Sequence, residues 1–320
     1  MARIVSLGSA LQDIYLVDHD DLAATMIGDT AIFGKVLVGS KVDIDRISYE
    51  VGGGGMNSAI CFSRHGHETI FMGNISRDAA GAAIIRKLDR EGIDSSYVTY
   101  VNNIHTGYSV LLLAPNGERT ILTCRGASAK FDSLNPDDLD NIYPDWLYVT
   151  TFRGNMDMLD QFFTKAKSLG AKIMFNPGNL ELAHQRKLLG LLSDVDVLLV
   201  NKSEAKKIVQ GTSLHELILR IKNYVPAAII TDGNQGAIAN DGTEVYRLGL
   251  YEDVPIKDAT GAGDAFGSGF LAAYAGGKSF KDSLVFASAN STSVVRKIGS
   301  KAGIISQNTK LHTMPIQEIR

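Results

Sequence analysis

Residues 258–267 read DATGAGDAFG and decide both the fold and the chemistry expected of this chain. Phe266 and Phe270 recur at helical spacing, which predicts a helix that begins at the glycines. A helix start offers free backbone N–H groups and the positive end of the helix dipole, and both attract an anion. Gly261 and Gly263 carry no side chain that would keep a phosphate from those N–H groups. The stretch therefore predicts an anion-binding turn.

Asp264 is the unusual residue of this turn, because a carboxylate repels a phosphate even though it stabilises the first turn of a helix. An acid beside an anion site is useful when it takes a proton from a hydroxyl group as that hydroxyl attacks the phosphate. This arrangement predicts a kinase in which Asp264 is the base. The alternative is a glycine-rich helix cap with an acidic first turn and no catalytic role.

The composition is that of an ordinary globular protein. The chain has 320 residues, 45% of them apolar, which suits one large α/β domain or two small ones. A net charge of −3 gives no basic surface for nucleic acid, so we expect no such partner. Two cysteines are too few for a disulfide framework, and the sequence shows neither a secretory signal nor a run of about 18 apolar residues. We expect a cytoplasmic protein that does not contact a membrane.

Two N-terminal stretches are expected to bind the molecule that receives the phosphoryl group. A predicted strand at 4–7 ends at Gly8, and Asp13 follows at the carboxyl end of the sheet, where ligands collect in open α/β folds. Asp13 is thus placed to accept hydrogen bonds from a polyol, unless it belongs to a surface turn. Residues 52–57 read GGGGMN, and these glycines let the backbone approach a ligand at a helix start, where Asn57 offers a donor and an acceptor. The alternative for the glycines is a flexible linker.

The strand pattern divides into a small sheet and a large one. Residues 30–51 and 107–124 read as short strands, and the second pair is joined by an Asn-Gly turn, which is a strong hairpin signal. From residue 140 strands alternate with helices, which predicts a parallel sheet. The strands predicted there are 146–149, 172–175, 195–200, 228–231 and 237–239, and the helices are 156–169, 182–192, 214–224 and 283–296.

The chain resembles one known family. Residues 258–270, DATGAGDAFGSGF, resemble the C-terminal signature of the ribokinase family of ATP-dependent sugar and nucleoside kinases, also called the PfkB family. Residues 52–57 resemble its N-terminal Gly-Gly-x-Gly-x-Asn motif, and weaker likenesses span nearly the entire chain. The resemblance implies a ribokinase-like three-layer α/β/α sandwich with a mostly parallel central sheet and a small β-sheet lid. The implied boundaries are 1–320 for the single kinase domain and 14–51 with 101–123 for the lid.

The resemblance also assigns roles to the residues of both motifs. In the family, the Gly-Ala-Gly-Asp turn forms the anion hole for the transferring phosphoryl group, and its Asp is the catalytic base. The N-terminal motif holds the sugar together with an Asp at the position of Asp13. The implied catalytic residues are Gly261, Ala262, Gly263 and Asp264, and the implied substrate-binding residues are Asp13, Gly53, Gly54 and Asn57.

Three weaker likenesses concern ATP and Mg²⁺. Asn201 and Glu204 resemble the family's Asn-x-x-Glu motif, which organises Mg²⁺, waters and phosphates, and hard oxygen ligands acting through water suit Mg²⁺. A simple capping box is the alternative for this pair. Residues 231–236 resemble the family's Thr-x-Gly-x-x-Gly nucleotide loop, although a hairpin would look the same. The residues implied for ATP are Asn201, Thr231, Gly233, Gly236 and, against the adenine, Asn290.

Two properties of the family stay open for this chain. Many members bind a monovalent cation beside the anion hole, and Asp258 and Thr260 match the first half of that site. The second half departs from the family pattern at 297–302, which leaves activation by K⁺ undecided. Lid sheets pair between subunits in some members, and the sequence does not decide whether this chain forms a homodimer.

The implied reaction transfers the γ-phosphoryl group of ATP to a hydroxymethyl group of a sugar. The alternative on the same fold is an adenosine- or cytidine-type nucleoside kinase, in which Phe33 and Tyr108 of the lid would cover the base. Arg125 or Arg153 would meet an anionic acceptor such as a sugar phosphate or sugar acid, unless both are ordinary surface or lid arginines. A non-catalytic sugar- or nucleotide-binding relative is a third alternative, against which the intact Asp264 argues.

Overall fold

The fold is described from a computed structural model, which covers residues 1–17, 24–27, 31–34, 39, 41, 43–44, 46–113 and 119–319. Within these residues the chain forms a ten-stranded sheet, a four-stranded sheet and a separate strand pair. The strands are β1 (Arg3–Leu7), β2 (Leu11–Val17), β3 (Ala24–Ile27), β4 (Ala31–Gly34), β5 (Arg46–Gly52), β6 (Glu68–Ile75), β7 (Val98–Tyr100), β8 (Gly107–Leu113), β9 (Arg119–Cys124), β10 (Trp146–Val149), β11 (Lys172–Phe175), β12 (Val197–Asn201), β13 (Ala227–Thr231), β14 (Ala237–Asn240), β15 (Val245–Leu248) and β16 (Ile316–Ile319). The helices are α1 (Gly54–Arg64), α2 (Ala79–Arg90), α3 (Leu139–Ile142), α4 (Met156–Ser168), α5 (Asn179–Ala183), α6 (Gln185–Leu191), α7 (Lys202–Ile208), α8 (Leu214–Ile221), α9 (Ala262–Ala275) and α10 (Phe280–Val295).

The large sheet runs in the order β16-β15-β14-β13-β12-β11-β10-β1-β6-β7. Its strands from β13 to β7 pair in parallel, whereas β14, β15 and β16 extend one edge in antiparallel fashion. Parallel neighbours need a crossover connection, which the helices of the repeated strand–helix units supply. The mostly parallel central sheet expected from the sequence is confirmed.

Helices cover both faces of this sheet, because the side chains of each central strand alternate between two apolar cores. On β10, Leu147 and Val149 enter one core, which also receives the apolar faces of α4, α6 and α8. Trp146 and Tyr148 enter the other core, together with α9 and α10. The three expected layers of helix, sheet and helix are therefore present.

The small sheet has the order β5-β2-β8-β9 and comes from the two stretches expected to form a lid. Strand β2 pairs antiparallel with β5 and parallel with β8, and β9 returns antiparallel to β8, which confirms the predicted hairpin. The residues of its turn, 115–118, lie outside the described part of the chain. Since β2 begins at Leu11, the sheet starts before residue 14, and Asp13 belongs to it, opposite Ser109 of β8.

Two predicted elements differ in the structure. The helix predicted for 182–192 is instead the two helices α5 and α6, because His184 between them leaves the helical conformation at φ −96° and ψ 46°. Among the short strands expected within 30–51, β4 and β5 are present, whereas residues 41, 43 and 44 belong to no strand. The strand expected around 35–38 lies outside the described residues.

Gly267 sets how closely helix α9 approaches the large sheet. A Cβ atom at this position would lie 2.4 Å from Leu199 Cδ2 and 2.6 Å from the Tyr148 hydroxyl oxygen. We expect Gly267→Ala to lower the free energy of unfolding by about 1–3 kcal/mol, the usual cost of overpacking a core. Denaturant-induced unfolding measures this loss.

The matched control is Gly190→Ala in α6, where an added Cβ atom meets nothing within 4 Å. In an exposed helix this exchange is expected to be neutral or to stabilise by up to about 1 kcal/mol. Equal stability of the two variants would contradict the close approach of α9.

Candidate active site

The turn that the sequence predicts to bind an anion lies at the start of α9. Gly261 is the N-cap residue in the left-handed conformation, with φ 75°, and no side chain caps the helix. A Cβ atom on Gly261 would lie 2.4 Å from Ser300 Cβ, so only glycine fits. The Ala262 N–H donates to the Ala259 carbonyl at 3.3 Å, whereas the first-turn N–H groups of Gly263 and Asp264 have no partner within the helix. These two N–H groups are the donors that the turn offers to an anion.

Asp264 lies beside Asn57, which joins the C-terminal motif to the N-terminal one. The Asn57 side-chain amide donates to Asp264 Oδ2 at 2.8 Å, across 207 residues of sequence. Desolvation raises the pKa of Asp264, while the Asn57 hydrogen bond and the nearby Lys301 charge act in the opposite direction. A carboxylate with a raised pKa, held at a helix start with unpaired N–H groups, is suited to accept a proton from an attacking hydroxyl.

Lys301 is the centre of the hydrogen-bond network behind this pair. Its ammonium donates to the Val51 carbonyl, to Asn57 Oδ1 at 3.0 Å and to Ser300 Oγ at 2.8 Å. The Ser300 hydroxyl also donates to Asn57 Oδ1, at 2.8 Å. Both Ser300 and Lys301 are buried, and desolvation lowers the pKa of Lys301. Sequence reasoning missed these two residues, because a single serine or lysine in a loop carries no spacing signal.

Asp13 is a buried carboxylate, only 6% exposed, on the face of β2 that also carries Tyr15. Burial raises the pKa of Asp13 to about 6, and Lys301 and a hydrogen bond from Ser109 oppose that rise. Gly52 makes room for the carboxylate, since a Cβ atom there would lie 1.8 Å from Asp13 Oδ2. Asp13 is therefore close enough to Lys301 for the two charges to interact. The prediction that Asp13 and Asn57 bind one acceptor molecule requires this proximity, because Asn57 bonds to Lys301.

The predicted glycines 53 and 54 pack against protein atoms. Gly53 has φ 96°, and a Cβ atom on it would lie 2.4 Å from the Ser9 carbonyl oxygen. A Cβ atom on Gly54 would lie 3.1 Å from Thr150 Cγ2. The two glycines thus bring the start of α1 against the ends of β1 and β10, which positions Asn57 one turn further along.

The residues predicted for the nucleotide meet at a separate cavity of about 320 Å³. It borders directly on the anion-binding turn, because Ala262 and Gly263 line it. Leu250, Tyr251 and Phe266 give it an apolar wall. Of the residues implied for ATP, those that line the cavity are Asn201, Thr231, Gly233 and Gly236.

Asn290, which was predicted to contact the adenine, does not line this cavity. The residue is completely buried, its amide donates to the Ala265 carbonyl at 2.8 Å, and its oxygen accepts from the Ile305 N–H at 3.0 Å. It fixes α10 to α9 instead. The residues of α10 that line the cavity are Ser288, Ser291 and Thr292.

Asn201 and Glu204 form the capping box that was the alternative for this pair. Asn201 Oδ1 accepts from the Glu204 N–H at 3.0 Å, and Glu204 Oε2 accepts from the Asn201 N–H at 2.8 Å. Desolvation raises the pKa of Glu204. Within the described residues, no three His, Cys, Asp or Glu side chains are grouped to hold a metal ion by themselves. Glu204 Oε1 remains the carboxylate oxygen that is outside the capping box.

Asp258 joins the two loops expected around a monovalent cation. Its Oδ1 accepts from the Thr260 N–H at 2.8 Å, and its Oδ2 accepts from the Gly299 N–H at 2.9 Å. The Thr260 hydroxyl oxygen is buried and has no hydrogen-bond partner in the described part of the chain. The stretch before the anion-binding turn and the 297–302 loop are therefore adjacent, as the predicted site requires.

The comparisons with known proteins agree with this geometry. The family model described as pfkB family carbohydrate kinase matches residues 1–307. The chain belongs to the pfkB family of carbohydrate kinases. It is therefore a phosphotransferase with an alcohol group as acceptor, and the expected family and enzyme class are confirmed.

Two known proteins are similar to this chain over nearly its full length. The chain is 28% identical to the ribokinase of Arabidopsis thaliana over 309 residues, which are 93% of this chain and 77% of that protein. The structure of Arabidopsis thaliana ribokinase complexed with ribose and ATP matches with TM-score 0.77 at 23% identity, over 95% of this chain and 96% of that one. The Methanocaldococcus jannaschii nucleoside kinase matches with TM-score 0.78 at 19% identity, over 96% and 95%. These structures confirm the ribokinase-like fold.

The described residues include no helix with the length and apolar character needed to cross a bilayer.

The Lys301 network generates a stability prediction. We expect Lys301→Met to lower the free energy of unfolding by about 2 kcal/mol or more, because it leaves the Val51 carbonyl and Asn57 Oδ1 with lost charge-assisted hydrogen bonds. The matched control is Lys297→Met in the same loop, whose side chain is exposed and should change stability by less than about 0.5 kcal/mol. Denaturant-induced unfolding compares the two, and losses of equal size would contradict the role given to Lys301.

Proposed function

We propose that the protein transfers the γ-phosphoryl group of ATP to a hydroxymethyl group of a sugar. The observation that carries this proposal is the contact between Asn57 and Asp264 beside a helix start where the Gly263 and Asp264 N–H groups have no partner within the helix. The acceptor oxygen attacks the γ-phosphorus, its proton passes to Asp264, and the bond from that phosphorus to the β–γ bridging oxygen breaks, which releases ADP. The N–H groups of the 261–264 turn stabilise the charge on the transferring group.

Asp13 and Asn57 orient the acceptor in this proposal. Both residues are buried. Asn57 Oδ1 accepts a hydrogen bond from the Lys301 ammonium, and the charge of Lys301 acts on the Asp13 carboxylate, so both side chains are held in place before a sugar arrives. The small sheet supports a role as lid because it carries Asp13 while the base lies on α9, which packs on the large sheet. A lid closed over the acceptor would exclude water, the competing nucleophile.

The ATP would occupy the cavity lined by Asn201, Thr231 and Gly233, because that cavity reaches Gly263 of the anion-binding turn. Bound with the nucleotide, Mg²⁺ supplies neutralisation of the phosphate charge. Asn201 and Glu204 would hold Mg²⁺ through water molecules, because the two residues already bond to each other in the capping box. They offer oxygen atoms but do not form a complete set of metal ligands. For K⁺ we keep Asp258 and Thr260, because the buried Thr260 hydroxyl oxygen is an unused ligand.

The sugar is favoured over the nucleoside alternative by the direction of Tyr108. Ser109 pairs with Asp13 and Tyr108 pairs with Gln12, and successive side chains of a strand point to opposite faces. Tyr108 therefore lies on the face of the small sheet away from Asp13, where it does not cover a base. The side chain of Phe33 lies outside the described part of the chain.

We expect Asp264→Asn to lower kcat by about 100-fold or more, the scale of general-base catalysis, with little change in stability. An asparagine can still accept the hydrogen bond from Asn57, so the local geometry should persist. The assay is Mg²⁺- and ATP-dependent ADP release across a panel of sugars, sugar phosphates, sugar acids and nucleosides. The control is Asp282→Asn, which alters an acid in the first turn of the neighbouring helix α10.

Two results would contradict this proposal. A near-wild-type rate in Asp264→Asn would remove Asp264 from the mechanism. Turnover of nucleosides alone by the wild type would contradict a sugar as the acceptor.

The raised pKa of Asp13 predicts a pH dependence of acceptor binding. Above about pH 6 the carboxylate is ionised and accepts hydrogen bonds from hydroxyls, whereas protonation below that pH weakens them. The acceptor KM should therefore rise as the pH falls through about 6, while the KM for ATP stays constant. In Asp13→Asn the acceptor KM should be high at every pH, and an unchanged pH profile in that variant would refute the assignment.

A further inference from the structure

The guanidinium groups of Arg125 and Arg153 form no ion pair with a described residue. Neither side chain has a hydrogen-bond or ion-pair partner among the described residues. Arg125 is half-buried, and Arg153 is exposed. Removing a guanidinium from water without a partner costs free energy, so a half-buried unpaired arginine indicates a missing acceptor.

Arg125 lies at the acceptor end of the small sheet. Asp13, Ser109 and Thr123 form one row across three strands, with the Ser109 and Thr123 hydroxyl oxygens 3.4 Å apart. Arg125 follows two residues after Thr123, a span of about 7 Å at strand spacing. Its carbonyl oxygen lies 2.5 Å from where a Cβ atom on Gly107 would be, against the end of the strand that pairs with β2.

Arg153 approaches the same place from the large sheet. It follows β10, whose end pairs with the end of β1 through Leu7 and Val149. Thr150 follows Val149, and its N–H donates to the Leu7 carbonyl at 3.0 Å. The Thr150 hydroxyl oxygen is buried and has no hydrogen-bond partner in the described chain. The loop of Arg153 therefore borders the same strand ends as the predicted acceptor site.

The Glu181 carboxylate holds the loop of Arg153 through hydrogen bonds. Its Oε1 accepts from the N–H groups of Phe152 and Gly154 at 2.9 and 2.6 Å. Its Oε2 accepts from the Gly178 N–H at 2.7 Å and from the Thr151 hydroxyl at 2.9 Å. All four bonds are internal to the loops, and the residue is completely buried. Glu181 therefore does not pair with either arginine.

The loop also holds Arg153 in an uncommon backbone conformation. Its φ is 57°, in the left-handed region that residues other than glycine rarely adopt. Arg153 is kept there between the two N–H groups that Glu181 binds, which directs a charged side chain out of a rigid loop. Strain of this kind is found preferentially at functional sites.

The two arginines are close enough to affect each other. Desolvation lowers the pKa of Arg125 and the positive charge of Arg153 lowers it further, while the negative charge of Glu181 acts in the opposite direction. The two guanidinium groups repel each other and form no ion pair with a described acid, so an anion that binds both would offset this repulsion.

We propose that Arg125 and Arg153 bind an anionic group of the acceptor, a carboxylate or a phosphate, so that the substrate is an acidic or phosphorylated sugar. The inference rests on the proposed sugar kinase function. The planar guanidinium group binds either anion through two parallel hydrogen bonds, which also orients the sugar. The hydroxymethyl group would then face Asp264, at another position of the same molecule.

The test compares neutral sugars, sugar acids and sugar monophosphates as acceptors of the wild type, Arg125→Gln and Arg153→Gln. The wild type should prefer an anionic acceptor. Each variant should lower kcat/KM for that acceptor by about 10- to 100-fold, mainly through KM, as expected for lost hydrogen bonds to a charged group. The rate with a neutral sugar and the KM for ATP should stay within about 3-fold. Arg220→Gln on α8 is the matched control and should leave both acceptor classes unchanged.

Binding without ATP separates this inference from the proposed function. Thermal unfolding is measured with a sugar acid, a sugar monophosphate and inorganic phosphate, and the wild type should be stabilised by one sugar class more than either arginine variant is. Stabilisation of the wild type without turnover of any acceptor would keep the anion site and overturn the kinase proposal. Preference for a neutral sugar, with both arginine variants like Arg220→Gln, would overturn the anion site and keep the kinase. Equal stabilisation of all variants would also overturn the anion site.

Discussion

The rest of the site depends on one buried ammonium group, that of Lys301. A buried ammonium group needs an acceptor for each of its N–H donors. The acceptors here are the Val51 carbonyl at the end of β5, Asn57 on α1 and Ser300 in the last loop, and the hydrogen bonds hold all three in place. Because the Asn57 oxygen accepts from both Lys301 and Ser300, its amide nitrogen is the atom that faces Asp264. The orientation of the side chain next to the proposed base is thereby set by a charge on a different segment, before any substrate binds.

The same ammonium is shared between two carboxylates, which are thereby tuned together. Asp13 and Asp264 are both desolvated, and Lys301 opposes the rise of the pKa in each. Desolvation raises the pKa of each carboxyl group, and the charge of Lys301 offsets only part of that rise, so each pKa remains above its ordinary value. A base with a raised pKa is a better proton acceptor, and a binding carboxylate with a pKa of about 6 still ionises near neutral pH. The site combines these two requirements by placing one lysine behind both groups.

Local signals in the sequence were sufficient for the parts of the fold and site that are built from neighbouring residues. The 258–267 turn, the strands of the large sheet and the hairpin of the small one could be predicted because glycine, alternation and turn residues act within a few positions. Lys301 could not, because its partner Val51 lies 250 residues away and nothing in the spacing connects them. The sequence could not show which residues of α10 face the cavity: residues of a helix are about 100° apart around its axis, and Ser291 lines the cavity whereas Asn290 is buried.

In the proposed function, each of the two sheets contributes residues that recognise the acceptor. Asp13 and Arg125 belong to the small sheet and its end, whereas Asp264 and Arg153 are held by elements packed on the large sheet. An acidic sugar that bridges both arginines would offset the repulsion between them and contact both sheets at once. A neutral sugar would leave that repulsion in place. The binding energy of the anionic group would then assemble the site around the hydroxymethyl group, so that specificity for the acceptor and exclusion of water follow from the same charge.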